Sequence, residues 1–314
     1  MNSEYIIKDF SQNSTPQDVY RLMQHKHRGN EKKIKREFFD NKYCKSYYND
    51  RPLMSKLMYY NNTAVAHVGA FPMTTSINHK TLQILQIGDI ITHSDHIGKG
   101  LFSQLIKAVI MDAKEKGYAF LFVVPNSNAL PIFVNKFNWK QSQKNVVFSR
   151  AIQTVYLNKV FNKLKLINLY SKIFDFFNKK YIIDRDIETV DNKKDIDRIF
   201  KDSAFYRYKV YSKNYLYKFN HGNVWFKLDD GMLIGDLPCK MKSIDKLMRD
   251  LIVFAKRRGI HNLKIHQSTS SPYYNYFKKG DYSEDDCLPV LTYRLDKNLD
   301  LSNWLTCMSE YNTF

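Results

Sequence analysis

The sequence predicts a mixed α/β fold made of two related modules. Short strand-like apolar runs alternate with amphipathic helical segments along a chain of 314 residues. This length exceeds that of an average domain, and a pattern from the first half recurs in the second. Apolar residues make up 44% of the chain and aromatic residues 15%. Packed cores are therefore expected, and disordered or low-complexity classes are excluded.

The elements of the first half follow from local patterns. Ser14 or Thr15, followed by Pro16, marks the start of a helix. The apolar run at 82–92 contains Gly88, and a glycine inside a strand predicts a bulge. Other strands are expected at 4–9, 55–60, 64–71, 119–124 and 146–150, the last closing the first sheet, and helices at 101–116 and from 125 to 139.

The second half repeats this order of elements. The segment LIKAVIMDAKEKG at 105–117 and the segment LMRDLIVFAKRRG at 247–259 share five of thirteen residues. Upstream, QIGDI at 86–90 matches LIGDL at 233–237. The second copy is five residues shorter between this strand and the helix, at the place of a glycine-bearing turn. A ligand site in that turn would exist only in the first copy.

These patterns predict a first domain at 1–152 and a second, degenerate domain at 183–314. The intervening residues 153–182 combine lysines with large apolar side chains. Such a segment is typical either of a connector that packs its apolar face on the domains or of a helix that lies on a membrane.

The charge and the cysteines restrict the possible partners. Lys and Arg number 49 against 31 Asp and Glu, a formal net charge of +18. Because the basic residues are spread along the whole chain, we expect a basic surface without a nucleic-acid partner. Four widely spaced cysteines predict free thiols in the cytoplasm. No apolar run approaches the ~20 residues of a membrane helix, and the N-terminus lacks an export-signal pattern. The sequence predicts no oligomeric state.

The turn of the first copy has the pattern of an anion site. It reads HSDHIGKGLF between a strand and an amphipathic helix. Two glycines let backbone N–H groups converge at the helix N-terminus, where phosphate oxygens bind readily. The stretch 88–102 resembles the pyrophosphate-binding loop of the GNAT superfamily of acyl-CoA N-acyltransferases, with matches at Gly98, Lys99, Gly100 and Leu101.

The resemblance implies an acyl-CoA co-substrate. His93, Asp95 and His96 could together suggest a metal site, but without further spaced ligands no metal is expected. Thr92, Ile97 and Phe102 would lie beside the loop residues and contact the co-substrate. In the segment PNSNA, Asn126 and Asn128 would contact the pantetheine arm or the adenosine phosphate.

The reaction implied is direct attack of a neutral amine on the thioester. A kink at 88–92 would direct a backbone N–H toward the thioester carbonyl. Asp89, on the strand that leads to the loop, and His93, whose ordinary pKa suits proton transfer, are the candidate bases. The Gly-Asp pair recurs at 235–236 in the half without the loop, which also fits a structural turn.

Tandem halves with one loop resemble bacterial N-acyltransferases that act on nucleotide-linked amino sugars. The resemblance implies an acceptor such as a dTDP-3-amino-3,6-dideoxyhexose, in surface-polysaccharide (O-antigen or capsule) precursor synthesis. In the aromatic region of the second half, Arg207, Tyr217 and Trp225 are the predicted acceptor-binding residues, by diphosphate contact or base stacking. A core role for these tyrosines and tryptophans is the alternative.

Other functions remain compatible with the sequence. One is acylation of a different amine, and another is an aminoacyl-tRNA-dependent transferase, whose tandem halves also resemble GNAT modules. A third, from a different class, is a noncatalytic protein with a basic binding surface.

Overall fold

The computed structural model describes residues 4–11, 15–26, 35–45, 51–164, 166–183, 197–209 and 213–311. It shows a mixed α/β fold with two sheets, which confirms the predicted fold class. The strands are β1 (Tyr5–Asp9), β2 (Lys56–Tyr60), β3 (Thr63–Ile77), β4 (Lys80–Thr92), β5 (Phe120–Val123), β6 (Lys140–Gln143), β7 (Asn145–Ala151), β8 (Asp197–Ile199), β9 (Tyr215–Phe219), β10 (Gly222–Asp229), β11 (Gly231–Asp236), β12 (Asn262–Ser268), β13 (Ser283–Asp286), β14 (Val290–Arg294) and β15 (Trp304–Leu305). The helices are α1 (Pro16–Lys26), α2 (Arg36–Asp40), α3 (Leu101–Glu115), α4 (Leu157–Lys163), α5 (Ile167–Asn178), α6 (Ser203–Tyr208), α7 (Ile244–Arg257) and α8 (Tyr274–Lys279).

The same series of elements occurs twice, as the repeat predicts. In the first half, the hairpin β3–β4 leads through α3 to β5, which pairs parallel to β4. In the second half, the hairpin β10–β11 leads through α7 to β12, which pairs parallel to β11. Both helices are amphipathic and bury one face against their own sheet, since their apolar residues recur at helical spacing. Thr15 directly precedes α1, whereas Ser14 lies outside the described residues.

The two halves exchange a strand. Strand β14 of the second half lies between β5 and β6 of the first sheet. Strand β7 of the first half lies between β12 and β13 of the second sheet. The prediction that 146–150 closes the first sheet is therefore wrong. The apolar pattern marked a buried strand, but pattern alone does not specify the partner strand. The domain boundaries at 152 and 183 stay predictions.

One core joins the two sheets. It combines side chains of the first sheet, such as Phe71 and Phe122, with Trp225 of the second sheet and Trp304 near the C-terminal end of the described chain. Trp304 donates from Nε1 to Thr75 Oγ1 at 2.9 Å in this buried region. The halves are thus held together by both strand exchange and packing.

The basic segment forms the helices α4 and α5. One face of α5 packs Tyr170 and Phe174 into the core of the second half. Within the described residues, no helix combines the length and the apolar character needed to cross a bilayer.

Candidate acyl-donor site

A cavity of about 600 Å³ opens where two parallel strands of the first sheet separate. Strands β4 and β5 pair from Ile84–Phe120 to Ile87–Val123. Beyond that point β4 continues to Thr92, whereas the segment that follows β5 leaves the sheet at Val124 and Pro125. The separated strand ends form the two walls of the cavity, which is therefore a cleft in the sheet and not a surface groove.

A bulge in β4 shapes one wall of this cavity. The pairing between β3 and β4 shifts by one residue between His67 and Gly69, so that Asp89 and Ile90 lie opposite one residue of β3. Asp89 has a φ of 44°, a left-handed conformation that is rare for this residue type within a strand. A Cβ on Gly69 would lie 2.8 Å from the Gly88 carbonyl oxygen, so only glycine fits there. The kink expected at 88–92 is confirmed.

The Asp89 carboxylate is held by two neighbours. Lys42 Nζ lies 2.7 Å from Asp89 Oδ2, and the Tyr43 hydroxyl donates to the same oxygen at 2.5 Å. Burial by itself raises the pKa of Asp89, but the Lys42 charge and the hydrogen bonds from Lys42 and Tyr43 outweigh it and lower the pKa. The carboxylate is therefore held in its charged form by an ion pair.

The glycine-bearing turn lies at the rim of the cavity. Gly98 and Gly100 have φ values of 84° and 72°, and Gly100 is the N-cap residue of α3. An added Cβ at either position would meet no atom within 4 Å, so the space above the turn is open. The first backbone N–H groups of a helix have no partner within the helix. The turn and the start of α3 can therefore bind phosphate oxygens.

The structure brings most of the predicted co-substrate residues to one place. The cavity is lined by Thr92, Ile97, Phe102, Asn126 and Asn128. The helix predicted from residue 125 starts later. The Asn126 side chain accepts a hydrogen bond from the Ala129 N–H at 2.9 Å and forms a turn, and the helical residues that follow include a π-helix at Ile132–Lys136.

Two other predicted co-substrate residues, Leu101 and Lys99, belong to the loop but do not line the cavity. Leu101 is buried at 2% exposure, so its side chain anchors α3 in the core and only its backbone is available to a ligand. Lys99 is exposed on the turn, with its Nζ 5.9 Å from the centre of the Tyr5 ring.

The second half completes the cavity with residues that sequence reasoning missed. They are His266, Cys287, Leu288, Met308 and Tyr311. The strand exchange places them there, because β12 and the segment around β14 lie against the open edge of the first sheet. The only signal in the sequence was a histidine within the strand segment NLKIHQ, and nothing local relates it to the turn at 93–100.

His266 and Cys287 form a pair inside the cavity. The Cys287 sulfur lies 3.5 Å from His266 Nδ1. Burial, together with the charges of Lys227 and Lys264, lowers the pKa of His266 to about 4. Burial also raises the pKa of the Cys287 thiol. At neutral pH the pair is therefore an uncharged imidazole beside a thiol.

Comparison with known proteins shows which family the first half is similar to. Residues 12–142 match the acetyltransferase (GNAT) domain family. A search of curated protein sequences gave no match to this chain.

Solved structures with the same fold extend over both halves. A probable N-acyltransferase from Enterococcus faecalis superposes with a TM-score of 0.62 and 11% identity, covering 93% of this chain and 73% of that one. A GCN5-related N-acetyltransferase from Kribbella flavida gives a TM-score of 0.60 and 11% identity over 93% and 72%. Eis1 from Mycobacterium abscessus gives 0.56 and 9% identity over 93% and 74%. At these identities the likeness concerns the fold. The GNAT domain and this fold together support an N-acyltransferase.

His93, the second predicted base, lies at the start of the glycine-bearing turn, where it precedes the short 3-10 helix Ser94–His96. Its ring stacks on His25 at a centroid distance of 3.7 Å, and its Nδ1 accepts from the Asp95 N–H at 3.3 Å. It is not among the described residues that line the cavity. Across the described chain, no three His, Cys, Asp or Glu side chains form a group that would hold a metal ion, including His93, Asp95 and His96.

The predicted acceptor-binding residues require a correction. Tyr217 is 0% and Trp225 1% exposed, and each belongs to a hydrophobic core. Trp225 donates from Nε1 to Asn214 Oδ1 at 2.9 Å. Fully buried rings have no surface left for a ligand, so both side chains have a packing role. Arg207 belongs to α6, but its side chain lies outside what the structure describes.

The equivalent opening in the second sheet is nearly filled. Asp236, the counterpart of Asp89, pairs with the buried Lys201, which also lies 2.8 Å from Glu310. The C-terminal segment around Cys307 packs into this opening and leaves a cavity of about 70 Å³. The Gly-Asp pair therefore belongs to a buried ion pair in both halves, and the large cavity occurs in the half that has the glycine turn.

Proposed function

We propose that the protein transfers an acyl group from coenzyme A to a primary amine. The 600 Å³ cavity between the separated strands, with the glycine turn at its rim, carries this proposal. The turn and the α3 N-terminus would bind the pyrophosphate. The pantetheine arm would then run between β4 and β5, past Asn126 and Asn128, and bring the thioester to the bulge at Asp89.

The chemistry needs a group that accepts the amine proton as the amine attacks. Asp89 and His266 both line the cavity. The Asp89 carboxylate is already paired with Lys42, whereas His266 is uncharged at neutral pH. If His266 Nδ1–H donates to the Cys287 sulfur, its Nε2 carries the lone pair that accepts the proton. We therefore assign proton acceptance to His266 and give Asp89 the role of holding the bulge.

The bond changes are simple. The amine nitrogen attacks the thioester carbonyl carbon, the adduct loses a proton to His266, and the C–S bond breaks as the amide forms. The coenzyme A thiolate takes up a proton on leaving. The bulged strand would orient the carbonyl, and the cavity walls from both halves would keep the two reactants together.

A nucleotide-linked amino sugar is the acceptor we propose to test first. The half-buried Lys227 and Lys264 lie near enough to His266 to lower its pKa, and a diphosphate would be attracted to this charge. With Tyr217 and Trp225 buried, the proposal depends on these lysines and on the net charge of +18. An acyl-CoA donor would place the reaction in the cytoplasm.

Binding of the acyl donor is tested by thermal unfolding of the protein with coenzyme A, acetyl-CoA, longer acyl-CoAs and dTDP. A ligand at 100 times its Kd adds about 2.7 kcal/mol to stability. Gly100→Trp is expected to abolish the shift produced by the CoA compounds. Gly117→Trp is the matched control, because Gly117 has the same φ of 72° and the same open space at the other end of α3. A folded protein that no CoA compound stabilises would overturn the proposal.

The role of His266 is tested by measuring the CoA thiol that is released from acyl-CoA in the presence of a panel of amines. The panel contains a dTDP-linked amino sugar, an aminoglycoside, a polyamine and a peptide with a free N-terminus. We expect His266→Gln to lower kcat by about 100-fold or more, while His93→Gln, outside the cavity, keeps near-normal turnover. Equal losses in the two variants would reject His266 as the proton acceptor.

A further inference from the structure

Exposed apolar side chains are concentrated in one short segment of the surface. Of the nineteen large apolar side chains that are exposed in the described chain, ten lie between residues 155 and 182. Single exposed apolar residues are ordinary on protein surfaces, but such a concentration of them indicates a contact surface. The segment comprises α4, α5 and their flanking residues.

The exposed residues of α5 form a stripe. Leu169, Ile173, Phe176 and Phe177 are exposed by 46%, 40%, 66% and 61%. At 3.6 residues per turn these four positions fall within an arc of about 100°. The arc borders the buried face of α5. The apolar surface of this helix is therefore wider than the part that packs into the core. A connector that packs its apolar face on the domains would explain the buried face of α5, but it does not explain this exposed stripe.

Lysines lie along one edge of the stripe. Residues 155–182 contain six lysines and one acidic residue. The acidic residue, Asp175, accepts from Lys213 Nζ at 2.9 Å and from the Tyr215 hydroxyl at 3.0 Å, so its charge is compensated. The side chains of Lys172 and Lys179 are exposed at the polar edge of the stripe, and Lys179 Nζ lies 5.6 Å from the Phe176 ring centre.

We propose that the exposed apolar surface of α4, α5 and their described flanking residues docks the protein onto an anionic lipid bilayer. A ridge of leucine, isoleucine and phenylalanine side chains with lysines along its edge suits the boundary between headgroups and acyl chains. The lysine stems can lie along apolar surface while the ammonium groups reach lipid phosphates. The exposed stripe lies on a convex helix rather than in a groove, which favours a lipid surface over a peptide segment. This proposal does not depend on the transfer reaction.

The test is cosedimentation of the full-length protein with vesicles. One set contains phosphatidylcholine alone, and the other contains equal parts of phosphatidylcholine and phosphatidylglycerol. We expect binding to the second set, weakening with added salt. Phe176→Ser combined with Phe177→Ser should weaken binding by more than about tenfold, because both rings are lost from the lipid contact. Lys172→Gln should weaken it by about fivefold.

The matched control is Met111→Ser combined with Val253→Ser. These side chains are exposed by 70% and 48% on other helices, so the change removes apolar surface elsewhere. Thermal unfolding of every variant shows whether it is folded. The proposal is overturned if the wild-type protein does not bind anionic vesicles, or if the phenylalanine and control variants bind equally well. Sedimentation equilibrium that shows a dimer lost in the phenylalanine variant, without vesicle binding, would assign the surface to a second copy instead.

Discussion

The ion pair at the bulge makes a quantitative prediction about stability. The side chains of Lys42 and Asp89 are 3% and 17% exposed, and they meet at 2.7 Å. Removing one partner of a buried pair costs about 3–5 kcal/mol. Asp89→Asn is therefore expected to lower the free energy of unfolding by this amount. For a chain of this size it corresponds to a fall in Tm of roughly 5–8 °C.

The same variant has a defined pH dependence. The folded-state pKa of Asp89 is lowered, so the pair stabilises the protein fully above the ordinary aspartate pKa of about 4. This contribution is lost as the pH falls through the lower folded-state pKa. The difference in stability between wild type and Asp89→Asn should thus be constant from pH 8 to about pH 5 and shrink at lower pH.

The assay is urea unfolding followed by tryptophan fluorescence at a series of pH values. Asp95→Asn is the control, because Asp95 is 76% exposed and lies 3.8 Å from His93 in a surface pair. Such a pair contributes at most about 1 kcal/mol. The reasoning is refuted if Asp89→Asn is as stable as wild type at pH 7, or if its deficit does not change down to pH 3.

Three further predictions concern the fold. Residues 1–152 expressed alone should show no cooperative thermal transition, because β14, the strand that joins β5 to β6, is missing. Coexpression with the remainder of the chain should restore the transition. Tyr217→Phe should be neutral or stabilising by up to about 1 kcal/mol in urea unfolding, since the Tyr217 hydroxyl is buried with no hydrogen-bond partner among the described residues; a loss above 2 kcal/mol would contradict this. Gly259→Ala should cost about 2–4 kcal/mol, because its φ is 64° and its Cβ would lie 2.5 Å from Leu157 Cγ. Gly117→Ala, with open space around its Cβ, should cost about half as much or less by the same measurement.

A second substitution at Tyr217 separates two interpretations of the aromatic residues. If the ring stacks on a nucleotide, its removal should cost the protein little stability but much substrate affinity. A ring in the core behaves in the opposite way, and the 0% exposure of Tyr217 favours the core. Because Tyr217→Phe keeps the ring, the test is Tyr217→Leu, for which a large loss of stability with an unchanged KM would agree with packing.

Local features of the chain were predictable from the sequence by itself. The glycines at 98 and 100 specify a left-handed turn wherever they occur, because few other residues adopt positive φ at little cost. The helical spacing of apolar residues in α3 and α7 requires a buried face in any fold. The mixed α/β class, the donor turn and the kinked strand follow from such short-range rules.

Only the tertiary structure decided which distant segments meet. The exchange of β7 and β14 depends on pairing between strands that are more than 100 residues apart, and any buried apolar strand carries the same pattern. That exchange brings His266 and Cys287 to a cavity whose recognisable turn lies in the other half. The pairing of Asp89 with Lys42 likewise depends on burial, which no local pattern specifies.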